Sequence, residues 1–488
     1  MNTIAAKLLE KYELVVGLET HVQLSTLSKI FSTDSAGFGA NPNEHVNPVT
    51  IGLPGTLPKL NGKVVDCAIK MGLATNCKIN LENHFDRKNY FYADLPKGFQ
   101  TTQDSKPICV GGYLGVKTKD GKLAHIRINR IHMEDDAGKS MHDQDPTDSL
   151  IDLNRAGVPL IEIVSEPDIR SAEEAALYLG EIRKLVKYLN ICDGNMEEGS
   201  IRCDANISVR LRGSEQYGNR CEVKNLNSIR NLQKAIEHEY VRQIKLIEDG
   251  IYIEQNTLNF DANTGITSPL RSKETANDYR YFPEPDLTPL VLTEQYIQEL
   301  LLQLPELPEM KINRYVNHLG LSEYDAYVLT SEKELAEYFD ELVKFTKNYK
   351  FAANWMMGTV KSYLNSNNIS IGSFSIKPKI LGQLIDFIDS GKINNSVASQ
   401  QIFPALLENP NVTVENIAKQ LNVLIDDSGD GLDDLISEVL SKYPDKVKEY
   451  HNGKKGVVGL FMGEIMKKSK GKINPQDANK LVLQKLEK

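Results

Sequence analysis

Residues 200–211, SIRCDANISVRL, alternate without a break. Ile201, Cys203, Ala205, Ile207, Val209 and Leu211 fall on one side, and Arg202, Asp204, Asn206, Ser208 and Arg210 on the other. A period of two over that length marks a strand with one buried face and excludes a helix there. ELVVGLETHVQL (13–24) follows the same rule. Its even positions from Leu14 to Leu24 are apolar or Thr20, while Glu19, His21 and Gln23 share the other face. In RCEVKN (220–225), Arg220, Glu222 and Lys224 oppose Cys221 and Val223. Polar faces of antiparallel sheets usually meet solvent, and each strand alone reads that way. Surface strands, however, favour residues such as Thr, whereas these carry acids, a histidine and arginines. If the three share a sheet, their polar side is a floor of carboxylates edged by Arg and Lys. Such a floor suits a hard divalent cation and the phosphates it carries.

Around these strands, the chain up to residue 300 reads as further short strands between Gly, Pro and Asn turns. Two helices interrupt them, one over 171–190 opened by a Ser171/Glu174 capping box, one over 228–249 stopped by Gly250. LPELPEM (304–310) has the composition of a linker. Beyond it the period turns helical, and SEKELAEYFDELVKF (331–345) opens with a second capping box, Ser331/Glu334. A further break falls at FPALLENPNVT (403–413), before several short amphipathic helices.

With 488 residues, 41% of them apolar, the chain can bury cores for two or three domains. A net charge of −9 excludes a uniformly basic nucleic-acid coat but leaves room for local basic patches. All 15 arginines lie at or before Arg314, which places the anion-handling chemistry in the N-terminal part. No run of about 18 apolar residues exists, so no membrane span is expected. The charged N-terminus makes export unexpected, and the six scattered cysteines read as reduced thiols of a cytoplasmic protein.

Glu134, Asp135 and Asp136 follow one another in RIHMEDDAGKS (130–140). Such a run reads as a solvated loop, or else as acids neutralised by a metal or Lys139. DLNRAGVPLIEIVSEPD (152–168) adds Arg155 and Glu162 around an apolar strand. GKS (138–140) fails as a phosphate loop because Met133 stands where glycine is required. DDSGDGLDDLISE (426–438) fails as a tight calcium loop because Ser437 takes the position of the bidentate acid. Residues 450–488 hold nine lysines against three acids, a local charge suited either to a phosphate backbone or to a solvated helix end.

VGLETHVQL, DRKNYFYADLPKGFQ, IHMEDDAGKS, DLNRAGVPLIEIVSEPD, MEEGSIRCDANISVR, EVKNLNS and DYRYFPEPDLTPL occur in that order. Together they resemble the B subunit of bacterial aspartyl/glutamyl-tRNA amidotransferases, from about residue 12 to the C-terminus. The resemblance implies an α+β fold: an antiparallel-sheet cradle domain (1–300), an all-helical domain (301–408) and a helical tail domain that binds tRNA (409–488). It also implies a heterotrimer with an amidase A subunit, which releases ammonia from glutamine, and a small C subunit. The B subunit uses Mg²⁺ and ATP to phosphorylate the side-chain carboxylate of Glu on tRNA(Gln) or Asp on tRNA(Asn), and ammonia then displaces phosphate.

By position, Glu19, His21 and Glu134 match the family's metal-site motifs, with Asp204 and Glu222 as further ligands. Arg202, Asn206, Lys224 and Asn225 would serve phosphate or the aminoacyl end. Lys88 and Tyr90 fall in the motif of the channel mouth. Asp135, Ala93 and Phe99 depart from the Glu, Pro and Tyr of many relatives. The rival to this enzyme is a non-catalytic tRNA-binding scaffold for the amidase, and a third reading is a metal-dependent nuclease. A scaffold needs basic surface rather than acids on polar strand faces.

Overall fold

The alternating segments form strands within one residue of the expected bounds, Tyr12–Gln23 (β1) and Ile201–Leu211 (β6). Between them lie Asp86–Asn89 (β2), Phe99–Thr102 (β3), Leu123–Asp135 (β4) and Pro159–Ser165 (β5). After them come Cys221–Lys224 (β7), Thr257–Asp261 (β8), Ile266–Pro269 (β9) and Arg280–Pro283 (β10). The main helices of this part are Gly62–Ala74 (α1), Ala172–Tyr188 (α2) and Ile229–Glu248 (α3). The computed structural model describes residues 6–142, 144–270, 279–425, 432–469, 473 and 475–487. It divides into two units, Met1–Leu307 and Pro308–Lys488, and the division falls inside the segment 304–310, which carries Pro305 and Pro308.

In the first unit a ten-stranded sheet runs β9-β8-β7-β6-β1-β5-β4 and continues through two short strands, Cys109–Val110 and Lys78–Ile79, while the tenth strand, Tyr113–Lys117, pairs with β4 off this path. The sheet is antiparallel except at one seam. β7 and β8 run parallel because α3 carries the chain back over the sheet between them, as a parallel connection requires. That one parallel pair makes the sheet of the expected α+β cradle a mixed one. The apolar faces of β1, β4, β5 and β6 pack Leu18, Met133, Ile161, Ile163 and Ile207 against Tyr178 and Ile182 of α2 and Leu232 and Ile236 of α3. That core leaves the opposite face of the sheet for polar residues. A separate three-stranded sheet has the order β10-β2-β3.

Ser171 caps α2 by accepting the Glu174 N–H, while the Glu174 carboxylate takes the Arg170 N–H instead of that of Ser171. Ser228 caps α3 in the same manner, accepting from Asn231.

The second unit is helical. The helix expected over 331–345 spans Lys333–Leu342, and Ser331 does not cap it. Its hydroxyl donates to the Val328 carbonyl and closes the preceding helix, leaving Glu332 at the cap position without a side-chain bond. One apolar cluster reaches from Tyr315 to Val423, and a second from Ile436 to Leu486. The helix Val414–Gln420 buries Val414, Ile417 and Ala418 in the first cluster, so that core continues past residue 409. The first six residues of the calcium-loop-like segment, 426–431, lie outside the described residues. All six cysteines are buried and free. Among the described residues, no helix is long and apolar enough to cross a membrane.

Candidate active site

The register of the large sheet sets its polar residues in rows. His21 lies opposite Arg202 on β6 and opposite Glu162 on β5, and Glu162 lies opposite His132 on β4. One row therefore reads Arg202, His21, Glu162, His132. Two residues along, Asp204 faces Glu19, Glu19 faces Val164, and Val164 faces Arg130. Glu134 follows His132 by two positions and shares its side of β4. Glu222 on β7 faces Asn206. Most of these side chains line one cavity of about 940 Å³, with Lys88, Thr102 and Lys224.

At its centre two histidines alternate with two carboxylates. His21 Nε2 lies 3.4 Å from Glu162 Oε2 and 3.6 Å from Glu134 Oε1. His132 Nε2 lies 3.2 Å from Glu162 and 3.6 Å from Glu134, which also accepts from the Thr102 hydroxyl at 3.2 Å. Burial opposes charge on both rings, but Glu162 and then Glu134 more than offset it. His132 is raised to about 9, and His21 is raised as well. Burial likewise opposes charge on Glu162, yet His132 and His21 hold it well below the usual carboxylate range.

Donor atoms of His21, Glu134 and Glu162 all lie within 4.8 Å of one another, a span that a single cation can bridge. One imidazole and two carboxylates, with Glu134 buried and His21 and Glu162 half-buried, form a donor set that fits a divalent cation.

A second acidic group adjoins this one. Burial, then Glu162, Glu222 and Asp204, raise Glu19, which accepts from the Asn206 amide at 2.8 Å. Lys224 Nζ bridges Asp204 at 2.7 Å and Glu222 at 2.8 Å. Burial opposes its charge, but those two acids raise it above an ordinary lysine. Glu222, despite its burial, is lowered by Lys224 and by the Thr257 hydroxyl.

The acidic run at 134–136 is not a solvated loop. Glu134 and Asp135 end β4, and all three acids are buried. Lys139 does not neutralise them. Asp135 pairs with Lys97 and accepts the Thr101 N–H. Asp136 takes Arg202 and Gln23, both at 2.8 Å, with Arg155 at 3.5 Å. Burial opposes ionisation of Asp136, but Arg202 and Arg155 lower it below the usual carboxylate value. Each charge is met from another strand or loop, which is why the run can be buried.

Of the residues singled out from sequence, His21 and Glu134 meet directly, whereas Glu19 stands in the neighbouring group with Asp204 and Glu222. Asn206 and Lys224 hold that group together. Arg202 shares the His21 row and is engaged with Asp136. Lys88 lines the cavity and is raised by Glu134, Tyr281 and Glu162 against the effect of burial. Tyr90 packs against Tyr92 and Tyr279 and donates to Gln100. Asn225 adopts a left-handed backbone, φ 64°, and its amide is bound to Asn259.

Residues 14–298 match the GatB/GatE catalytic domain, and residues 337–486 match the GatB domain. The B subunit of the aspartyl/glutamyl-tRNA(Asn/Gln) amidotransferase of Geotalea daltonii is 48% identical over 98% of this chain and 100% of its own length. The protein of the same name from Thermodesulfovibrio yellowstonii is 48% identical over 97% and 98%, and that from a Synechococcus strain 46% identical over 99% and 100%. The chain belongs to the family of amidotransferase B subunits.

Two residues at the centre of the candidate site are not among the site residues expected from sequence: His132 goes unmarked there, and Glu162 is noted only as an acid in an apolar strand. His132 lies two positions before Glu134, a spacing that puts both on one face. Glu162 is the only charged residue in the PLIEIVS strand, and a lone acid in an apolar strand is itself a signal.

Proposed function

We propose that this chain is the kinase and transamidase subunit of a tRNA-dependent amidotransferase, acting on Glu-tRNA(Gln), Asp-tRNA(Asn) or both. The observation that carries this reading is the row Arg202, His21, Glu162, His132, with Glu134 beside it and the Glu19, Asp204 and Glu222 group next to it. Acids so concentrated, with Arg and Lys at their edge, support a site for a cation and a nucleotide triphosphate. His21, Glu134 and Glu162 would hold Mg²⁺, with Glu19, Asp204 and Glu222 available to a second cation. A bound cation supplies neutralisation of phosphate charge.

A carboxylate is a poor acyl donor. Its oxygen attacks the γ-phosphorus of ATP, the bond to the bridging oxygen breaks, and ADP leaves. Lys224 and Arg202, both in reach of this floor, favour the negative charge that spreads over the transferring group. Ammonia then attacks the acyl carbon, phosphate leaves with the bonding pair, and loss of a proton from nitrogen gives the amide. Lys88, which lines the same cavity, belongs in this reading to the mouth through which ammonia would enter, as the family resemblance implies. In this reading an amidase A subunit supplies the ammonia, a small C subunit completes the assembly, and the C-terminal helices hold the tRNA. The reaction belongs in the cytoplasm, where ATP and charged tRNA are found.

The test uses Glu-tRNA(Gln) labelled in the amino acid, with ATP, Mg²⁺ and free ammonia, with and without the partner subunits. Labelled Gln formed only with this chain and ATP supports the proposal. Unchanged Glu on retained tRNA would favour the scaffold, and loss of intact tRNA without ATP a nuclease.

A further inference from the structure

The cavity has a second wall that phosphoryl transfer leaves unused. Away from the carboxylates it is lined by Tyr279, Tyr281 and Leu270, together with Arg130 and Asp104. Tyr281 is paired with Lys88 across β10 and β2. Tyr279, one residue before β10, meets Tyr90 edge-on with ring centres 5.5 Å apart, and Lys88 Nζ stands 4.6 Å from its own ring centre. Both tyrosines remain open, Tyr279 at 44% and Tyr281 at 40% exposure. Among the described residues, neither hydroxyl has a hydrogen-bond partner.

The polar groups beside them are also incompletely used. Arg130 Nη1 donates to the Asp104 carbonyl at 3.3 Å and lies 3.5 Å from the Asp104 carboxylate, while its Nε is buried without a partner. Arg130 and Asp104 both act electrostatically on Tyr281, so ring, guanidinium and carboxylate converge. A flat aromatic face recovers its exposed area against a planar ring, and base-on-tyrosine stacking is the common form of that contact. A carboxylate and a guanidinium at its edge match the donors and acceptors of a base edge or a ribose.

We infer that Tyr279, Tyr281, Arg130 and Asp104 form a nucleoside subsite that takes an adenosine moiety, its base against the tyrosine rings. This rests on the phosphoryl-transfer reading of the same cavity, in which both substrates carry adenosine: ATP, and the 3′ end of the tRNA to which the amino acid is esterified. The wall is close enough to the carboxylate floor to share one cavity with it, so either adenosine can lie here while its reactive end reaches the acids.

The experiment uses the assembled complex carrying the wild-type chain, Tyr281→Phe, Tyr281→Ser, Tyr279→Ser or Asp104→Asn. Amidation is followed with ATP and Glu-tRNA(Gln) varied separately, and binding of labelled ADP and of a Glu-charged acceptor minihelix is measured directly. Tyr281→Ser is expected to raise one KM on the order of 10-fold, with kcat little changed and Tyr281→Phe restoring it. A rise in KM for ATP with weaker ADP binding assigns the subsite to the nucleotide. A rise in KM for tRNA with weaker minihelix binding assigns it to the terminal adenosine.

Unchanged KM and binding in Tyr281→Ser, Tyr279→Ser and Asp104→Asn overturn the inference. Melting temperature and Mn²⁺ affinity, both unaltered, show that a variant has kept its fold, and Asp104→Asn serves if the serine variants do not. If the wild-type complex forms no amide yet binds ADP or minihelix in a Tyr281-dependent way, the proposed reaction fails and the subsite stands.

Discussion

His21 and Glu162 face each other directly across β1 and β5, with Nε2 and Oε2 3.4 Å apart. The contact joins the first strand of the chain to one far along it, and Glu162 makes the same approach to His132 on its other side. Glu162→Gln keeps the shape and removes the charge that holds both rings. Mn²⁺ affinity is expected to fall by at least the ~10–100-fold typical of losing a supporting partner, and amidation with it. Calorimetric titration with Mn²⁺ checks this, and retained affinity would remove Glu162 from the cation site.

Because Glu162 and Glu134 raise His21 and His132, the folded chain holds protons that the unfolded chain has released. Their stabilising contribution is complete below the ordinary imidazole value of 6.5 and is lost as pH rises to about 9, the value for His132. The melting temperature of cation-free protein should therefore fall across that window. A ligating imidazole must be neutral, so Mn²⁺ binds more tightly as pH rises and should restore the midpoint at the alkaline end. A flat profile without cation would contradict the coupling.

Lys224 spans Asp204 and Glu222. Lys224→Met should slow ADP formation in the presence of charged tRNA by ~10²-fold, the scale of losing one group that meets developing charge, while tRNA binding stays close to wild type. Rapid-quench measurement of ADP formation reads the step directly.

Glu239 on α3 is fully buried and takes Arg242 through two 2.8 Å bonds, with Gln243 and Thr267 completing its shell. Arg242 also reaches the Cys221 sulfur, next to Glu222. Glu239→Leu should destabilise the protein by roughly 2–4 kcal/mol, the lower part of the range for breaking a buried pair because Arg242 is a third exposed. Urea unfolding measures it.

Removal of the tail should be made within 426–431, since a cut near 410 would strip Val414, Ile417 and Ala418 from the first helical core. The shortened chain is expected to bind tRNA more weakly and with a shallower dependence on salt, by about one unit of slope for each phosphate it no longer neutralises. Several tail lysines are already engaged: Lys485 with Asp433 and Lys468 with Glu438. Lys470, Lys472 and Lys488 lie outside the described residues. Equal slopes would argue against a phosphate-reading tail.

Strand β6 was legible because eleven residues obey one period, and β1 because its core side is apolar but for Thr20. The pairing of Asp204 with Glu19 then follows once the two strands are neighbours. The acidic run was misread for the opposite reason. Its burial depends on Lys97, Arg155 and Arg202, which approach from elsewhere in the chain and leave no local mark. Glu162 was hard to place because its face-mates on β5, Leu160 and Val164, are apolar, so nothing beside it announced a polar floor. Ser331 failed as a cap because it had a nearer use in ending the helix before it.

The first strand of the chain lies in the middle of the large sheet, with Tyr12 paired to Leu211 at the far end of β6. During synthesis it must wait for both neighbours, β5 and β6, to leave the ribosome. At ~5–20 residues per second, that delay is roughly 10–40 s. Through that interval Val16, Leu18 and Val22 have no lasting cover, and the site has neither Glu162 nor Asp204. Enclosing the central strand is thus a long-range closure, the kind of event that orders late and leaves apolar surface open while it waits.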